Sequence, residues 1–447
     1  MQAVRPSRPG KGDVVSRERY LEPEVELIGP AELRDHQERR VVELVAYAYE
    51  HSAFYRELWD AHGVHPKDVR SLEDFQERIP FMDKSMVREY RAGHRDPYGG
   101  MLCVPPEQVT SISSTSGTTG DPEFFAEVWD DAPPLITAQL RDLWELGLRP
   151  GDKVISPPGC FRNLMDYGYQ ALGATVIAVN TWLGNMHEVV EAARAYRPAY
   201  IQLAYPLVTE LIRLGETEDL REAFSSLKGV SFAGQPLSRR MRATMQEDWG
   251  VEVFEYTSAA DTGTAWECRE HNGFHLWEDT VFAECVDTES LGPAAEGHTG
   301  ELVATDLDNL AAPLIRYRSS DLVRLNRDRC ACGRTHARMW LAGRRGDETI
   351  VRGRPVTLRD IEQAVEAQPE TIGGVFQVVR TQREVEVLRV RVGYDPVATP
   401  DPADLGVRLT KAVYDATGVE PELELRTEEE LMRTVRSVAK FARVVNS

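Results

Sequence analysis

Between residues 153 and 256 short apolar runs alternate with amphipathic ones, and few architectures accept that order. Residues 153–156, 173–179, 199–204, 229–233 and 251–256 read as strands; 186–196, 206–214 and 238–249 read as helices. Strand and helix in regular alternation predict an α/β domain, with a largely parallel sheet covered by helices. Upstream, Val41, Leu44, Val45, Ala48 and Tyr49 recur at i, i+3, i+4, i+7 and i+8, the stripe of an amphipathic helix. Past Gly343 the texture changes. Residues 357–367 read as a short helix starting at a threonine, and 375–379 with 384–392 as a strand pair, which predicts a small α+β domain. Gly343, Gly346 and Gly353 stand among charged residues and mark the hinge. The expected division is a large domain over 1–343 and a small mobile one over 344–447.

The 447 residues exceed what one ordinary core holds, in keeping with two domains. A net charge of -20 argues against a nucleic-acid partner, because phosphate backbones are held by clustered positive charge. Nucleotides are not excluded, since local charge decides small-molecule docking and arginines gather between Arg324 and Arg354. No apolar run approaches the ~20 residues that span a bilayer, and Met1 to Arg17 is polar and basic without a signal peptide's apolar stretch. The expected location is the cytoplasm. In such a chain six cysteines do not read as a disulfide framework; a metal site or buried thiols are the alternatives.

The stretch 111–122 reads SISSTSGTTGDP. Hydroxyls and glycines in consecutive positions let a loop offer N–H and O–H groups to phosphate oxygens from several directions. It is not a Walker loop, which needs Lys and Ser or Thr after the second glycine; Asp121 and Pro122 follow here.

Together with RIPFMDK, ALGATVIAV, FAGQP, EYTSAAD, ECREHNGFHLWED, PLIRYRSSDL, CACGRTHARM, GRRGDETIVRGRPV and RSVAKFARV, in that order, the loop resembles the phosphate loop of adenylate-forming enzymes. The chain is most similar in pattern to the phenylacetate-CoA ligase family of that superfamily. The resemblance implies activation of a carboxylic acid by ATP and magnesium to an acyl-adenylate, pyrophosphate release, and transfer to coenzyme A. Ser114, Thr115, Ser116, Gly117, Thr118, Thr119 and Gly120 would cradle the phosphates, and Asp321 would accept the ribose hydroxyls. Tyr256, Gly234 and Gln235 would border the adenine, Arg344 would meet the nucleotide, and Lys440 would be catalytic. Phe161, Tyr167, Ala204 and Tyr205 suggest an aryl or arylacetic acid pocket, although core packing accounts for such residues equally well.

Three positions depart from the family pattern. Ala260 stands where a magnesium-site glutamate is usual, leaving Asp261 as the nearest carboxylate; Asp121 replaces a common lysine; Gly346 replaces the usual hinge aspartate. Cys268, Cys330 and Cys332 with His275, or less well His271, offer the soft ligands of a structural zinc site. Passage of the acyl group to an amine or a carrier-protein thiol is a second reading, and a degenerate nucleotide or aryl-acid binder a third, motivated by Ala260 and Asp121. The basic stretch after Leu325 favours coenzyme A. Expected partners are a small carboxylic acid, ATP and coenzyme A, with no nucleic acid or membrane and a homodimer left open.

Overall fold

The computed structural model describes residues 19–114, 124–128, 135–156, 164–179, 183–435 and 441–446. Strands β1 (Ser111–Ser114) and β2 (Phe124–Glu127) form a separate antiparallel hairpin, with Ser114 opposite Phe124. Strands β3 (Lys153–Ile155), β4 (Thr175–Ile177), β5 (Tyr200–Ala204), β6 (Gly229–Ala233) and β7 (Val253–Ser258) pair in parallel, in the order β4-β3-β5-β6-β7. β5 and β6 are buried at every position, as befits strands covered on both faces. The helices Met186–Tyr196 and Tyr205–Leu214 pack Val189, Val208 and Leu211 against Ile201 and Leu203 in one core. Pro206 in the first turn of the second helix costs no hydrogen bond there.

The parallel arrangement stops at β7. From there β8 (Thr264–Glu267), β9 (Phe274–Leu276), β10 (Val281–Val286), β11 (Thr299–Asp306), β12 (Tyr317–Asn326) and β13 (Arg338–Arg344) extend the same sheet with antiparallel pairings. The whole sheet runs β10-β11-β12-β13-β9-β8-β7-β6-β5-β3-β4, so the expected largely parallel sheet is a mixed one. The consecutive neighbours β7–β8, β8–β9, β10–β11, β11–β12 and β12–β13 are joined by connections without a helix, which suits antiparallel pairing.

Two further expectations are refined. Residues 238–249 form a helix only over Arg239–Ala243, capped by the Ser238 hydroxyl, and then widen into a π-helical turn over Thr244–Asp248. Residues 384–392 are not one strand: β17 (Glu384–Val385) pairs with β14 (Thr349–Val351), itself beside β15 (Arg354–Val356). The next strand, β18 (Leu388–Tyr394), lies between β16 (Phe376–Val379) and β19 (Pro421–Thr427), and β20 (Val444–Val445) completes that sheet on β16. The helices Leu358–Glu366 and Pro402–Thr417 close a core of their own with Val365, Leu409, Phe376 and Val390. Thr357 caps the first of them in a reciprocal box with Asp360.

One core carboxyl carries a pH signature. Asp142 is fully buried, accepting from the Trp277 indole (2.8 Å) and the Thr264 hydroxyl (3.3 Å), and burial pushes its pKa up to about 8 from 3.8. With the folded value above the unfolded one, its contribution is full below about pH 4 and is lost as pH rises toward 8. Asp142→Asn, which cannot ionise, should therefore raise stability at pH 8 relative to pH 5 by roughly 2–4 kcal/mol. Denaturant melts of both proteins at the two pH values check this; an equal effect at both would remove Asp142 from the pH dependence.

Candidate active site and metal cluster

The turn after β7 brings charge to the end of the sheet. Ala260 and Asp261 both take left-handed backbone (φ 55° and 60°), with the Asp261 amide donating to the Ser258 hydroxyl at 2.9 Å. Two consecutive such residues fold the turn back so that the Asp261 carboxylate meets Lys84 Nζ at 3.0 Å and receives the Tyr317 hydroxyl at 3.3 Å. Lys84 comes from the RIPFMDK stretch, whose Asp83 caps the helix Lys84–His94. Burial first, then the Asp261 carboxylate, push the Tyr317 phenol well above its usual range, and Asp321 and Arg344 act on the same hydroxyl. Asp321 and Arg344 face each other across β12 and β13, with Nε to Oδ1 at 3.7 Å, and Arg344 also donates to the Ser319 carbonyl at 3.2 Å. Both are about one-third exposed, so the pair is open to a ligand. Asp261, Lys84, Tyr317, Asp321 and Arg344 thus make one partly open cluster of two carboxylates and two cations around a phenol.

Around the corner, the Tyr256 ring stacks on Trp266 (centroids 4.7 Å, planes 13° apart) and its hydroxyl is bonded by the Gln202 amide. Tyr169 reaches Gln202 and Tyr200, whose hydroxyl meets Ser231, giving a buried polar chain along the parallel strands. Gly234 takes φ 97° as the chain leaves β6, a conformation that favours glycine. Gln235 Oε1 accepts from the backbone N–H of Phe441 at 3.1 Å.

Of the expected phosphate-loop residues, Ser114 ends β1, whose hairpin with β2 holds the two ends of the loop together. Thr115, Ser116, Gly117, Thr118, Thr119 and Gly120, together with Phe161 and Lys440, lie outside the described residues. Tyr167 is 38% exposed on the helix Leu164–Ala171, whereas Ala204 is fully buried at the end of β5. Tyr205 is fully buried too, but its hydroxyl donates to the carbonyl of Gly373 and its ring lies against Phe441. Both partners lie beyond residue 343, past the expected domain boundary. In the basic stretch after Leu325, Arg327 donates to the Ala283 carbonyl and Arg329 to the Gly333 carbonyl. Both arginines are exposed, so their remaining N–H groups still face solvent.

Cys268, His275, Cys330 and Cys332 converge, all buried, with their ligand atoms within 4.8 Å of one another. Cys268 and Cys330 sulfurs are 3.9 Å apart, and Cys332 Sγ is 3.4 Å from His275 Nε2. Tetrahedral zinc with bonds of ~2.0–2.3 Å separates its ligands by roughly 3.3–3.8 Å, so the spacing fits that ion. His275 Nδ1 faces the His336 carbonyl at 3.3 Å, which leaves Nε2 for a metal. A hydrogen bond from Cys268 holds the Cys332 thiol well below its ordinary value despite burial, with His275 helping. His271 is elsewhere, bonded to Glu252 and Glu267. Beside the cluster Arg334 is clamped by Glu26 and Glu145 at 2.6–2.9 Å.

Lys84, Trp266 and Gln202 escaped the sequence reading. Lys84 sits in a quoted motif and could have been singled out; the other two come to Tyr256 only through strand register.

The fold is that of the adenylate-forming enzymes. It superposes on 2-hydroxyisobutyryl-CoA ligase in its postadenylation state with a TM-score of 0.82, 26% identity, and coverage of 96% of this chain and 92% of that one. Against the same ligase in the thioesterification state the TM-score is 0.68, at 99% and 94% coverage. No family model matches the chain. Phenylacetate-coenzyme A ligase of Thermus thermophilus is 33% identical over 381 residues, 83% of each protein, and that of Aromatoleum evansii 30% over 386 residues, 85% of each. The chain belongs to the phenylacetate-CoA ligase family, AMP-forming acid-thiol ligases. No helix among the described residues is long and apolar enough to cross a membrane.

Proposed function

We propose that this ligase joins an aryl or arylacetic acid to coenzyme A, forming the acyl-adenylate from ATP and magnesium before the thiol attacks. The observation that carries the residue roles is the cluster around Tyr317. Asp321, with two acceptor oxygens, takes the ribose hydroxyls, and Arg344 turns to the nucleotide once a ligand competes for its carboxylate partner. Tyr256, backed by Trp266, borders the adenine with Gly234 and Gln235. The loop Ser114 to Gly120 holds the phosphates, and catalysis is mainly positioning and charge neutralisation. The division at residues 343 and 344 separates the body that binds the substrates from the one that carries Lys440. Cys268, His275, Cys330 and Cys332 hold a structural zinc, which would staple β9 to the turn between β12 and β13. Pyrophosphate release screened across carboxylic acids, with and without coenzyme A, tests the reading; release with no aryl acid in the set would overturn the substrate class.

Asp261 stands in for the glutamate absent at Ala260. Its carboxylate is already paired with Lys84, so magnesium must compete with an ammonium for it. Asp261→Ala is expected to raise the magnesium concentration giving half-maximal adenylation by about tenfold, on the scale of one lost carboxylate contact. An unchanged magnesium titration would leave the ion to the phosphates and water.

A further inference from the structure

The two bodies meet through a set of directional contacts that the mechanism above does not use. Arg240 projects from the first turn of the helix Arg239–Ala243, a few residues beyond Gln235. Its guanidinium donates to three carbonyls of the small body: Thr371 at 2.9 Å, Gln368 at 3.0 Å, and Glu366. Glu366 ends the helix Leu358–Glu366, where the dipole is negative, and Gln368 and Thr371 lie in the turn that follows, their carbonyls also accepting from the Thr371 and Gly374 amides. Nearby, the Tyr205 hydroxyl donates to the Gly373 carbonyl, and the Gly373 amide donates at 2.7 Å to Glu428, which faces Arg213 at 3.5 Å. Val375, Leu431, Met432 and Phe441 of the small body complete the apolar core under β5 and β6.

We infer that Arg240 is a positioning residue that latches the small domain in the orientation for adenylation, and so sets how the enzyme divides its time between its two half-reactions. Three observations converge. Among the described residues, the hydrogen bonds of the guanidinium go to three backbone carbonyls beyond residue 343. The same short segment carries Gln235, which holds the Phe441 amide next to Lys440. The overall arrangement matches a related ligase after adenylation (TM-score 0.82) better than in thioesterification (0.68). Rotation of the small domain must break all three Arg240 bonds together, whereas contacts inside either body survive it. A cation capping a helix end releases cleanly, because the freed carbonyls and the guanidinium are both solvated by water, so the latch can open within a turnover. Gaining or losing such a latch shifts a two-state population without altering either site. The inference rests on the two-step reading for its kinetic half, but not for its conformational half.

Arg240→Ala and Arg240→Lys test it with two readouts. The first needs no activity: trypsin cleavage in the hinge, at Arg345 or Arg352, in the free protein. Arg240→Ala should be cut at least about fivefold faster than the parent, and Arg240→Lys should lie between, since one ammonium can meet fewer of the carbonyls. The second is the half-reactions: Arg240→Ala should lose about tenfold in acid-dependent pyrophosphate exchange and keep, or gain, thioester formation from supplied acyl-adenylate. Unchanged hinge cleavage in Arg240→Ala overturns the latch, as does an equal loss in both half-reactions with an unchanged melting curve. If the parent itself forms no adenylate, the functional reading fails while the cleavage result still decides the latch.

Discussion

Lys440→Ala is expected to lower acid-dependent pyrophosphate exchange by a factor on the order of 10² or more, while thioester formation from supplied acyl-adenylate stays near the parent rate. The attacking carboxylate and the α-phosphate are both anionic, and an ammonium between them offsets their repulsion as charge builds in the transition state. The residue that follows Lys440 in sequence is anchored next to the proposed adenine loop. Phe441 is buried, its amide is held by Gln235, and Arg443 stacks on the rings of Phe376 and Tyr205 at 4.2 and 4.8 Å. Gln235, which holds that amide, lies on the loop assigned to the adenine. Arginine should not restore the rate, since a planar fork cannot replace a compact point charge between two oxyanions. Equal loss in both half-reactions would point to a folding defect, and no loss in either would remove Lys440 from the chemistry.

The second large effect concerns the cysteine cluster. Purified protein should contain about one zinc per chain, and Cys330→Ala with Cys332→Ala should remove it and lower the thermal midpoint by about 10 °C or more. Binding energy at a site that exists only in the folded state is folding energy, and removing two ligands leaves Cys268 and His275 buried without the ion that satisfied them. Glu26, Arg334 and Glu145 would feel the loss through Cys332, whose sulfur lies 3.8 Å from Arg334. Metal analysis and calorimetry decide the matter. Zinc-free protein purified without chelator, or unchanged metal content in the double variant, would refute the site.

Much of the architecture was legible because it is periodic. The run 229–233 and the helix 186–196 fall where apolar patterning puts them, since a strand buried on both faces must be apolar throughout and a covering helix must carry one stripe. The antiparallel half was not legible. Strands such as β10 and β11 are buried almost throughout, as the parallel ones are, and nothing local says that they join the sheet begun by β3 in the opposite sense. Among candidate site residues, Cys268, His275, Cys330 and Cys332 could be gathered from ligand chemistry. Asp321 and Arg344 were separate motifs that only the β12–β13 register brings face to face. The contacts of Tyr205 with Gly373 and Phe441 had no sequence signal, because a buried aromatic at a strand end looks the same whatever lies against it. Arg240, an arginine among arginines, carries no sequence signal at all; its partners are backbone carbonyls more than 120 positions away.

The turn between β12 and β13 has a consequence for the order of folding. Besides supplying two thiols, it grips the start of the described chain: the Tyr20 hydroxyl donates to the Cys332 carbonyl across 312 positions, and the Thr335 hydroxyl donates to Ile28. Closing so long a loop costs chain entropy that no local contact repays, so such a junction forms after the sheet between its ends has already shortened the effective distance. The grip of Tyr20 on this turn would then be a late event, sealing a nearly finished body rather than nucleating it. Tyr20→Phe should accordingly leave the refolding rate near that of the parent and show its loss in faster unfolding.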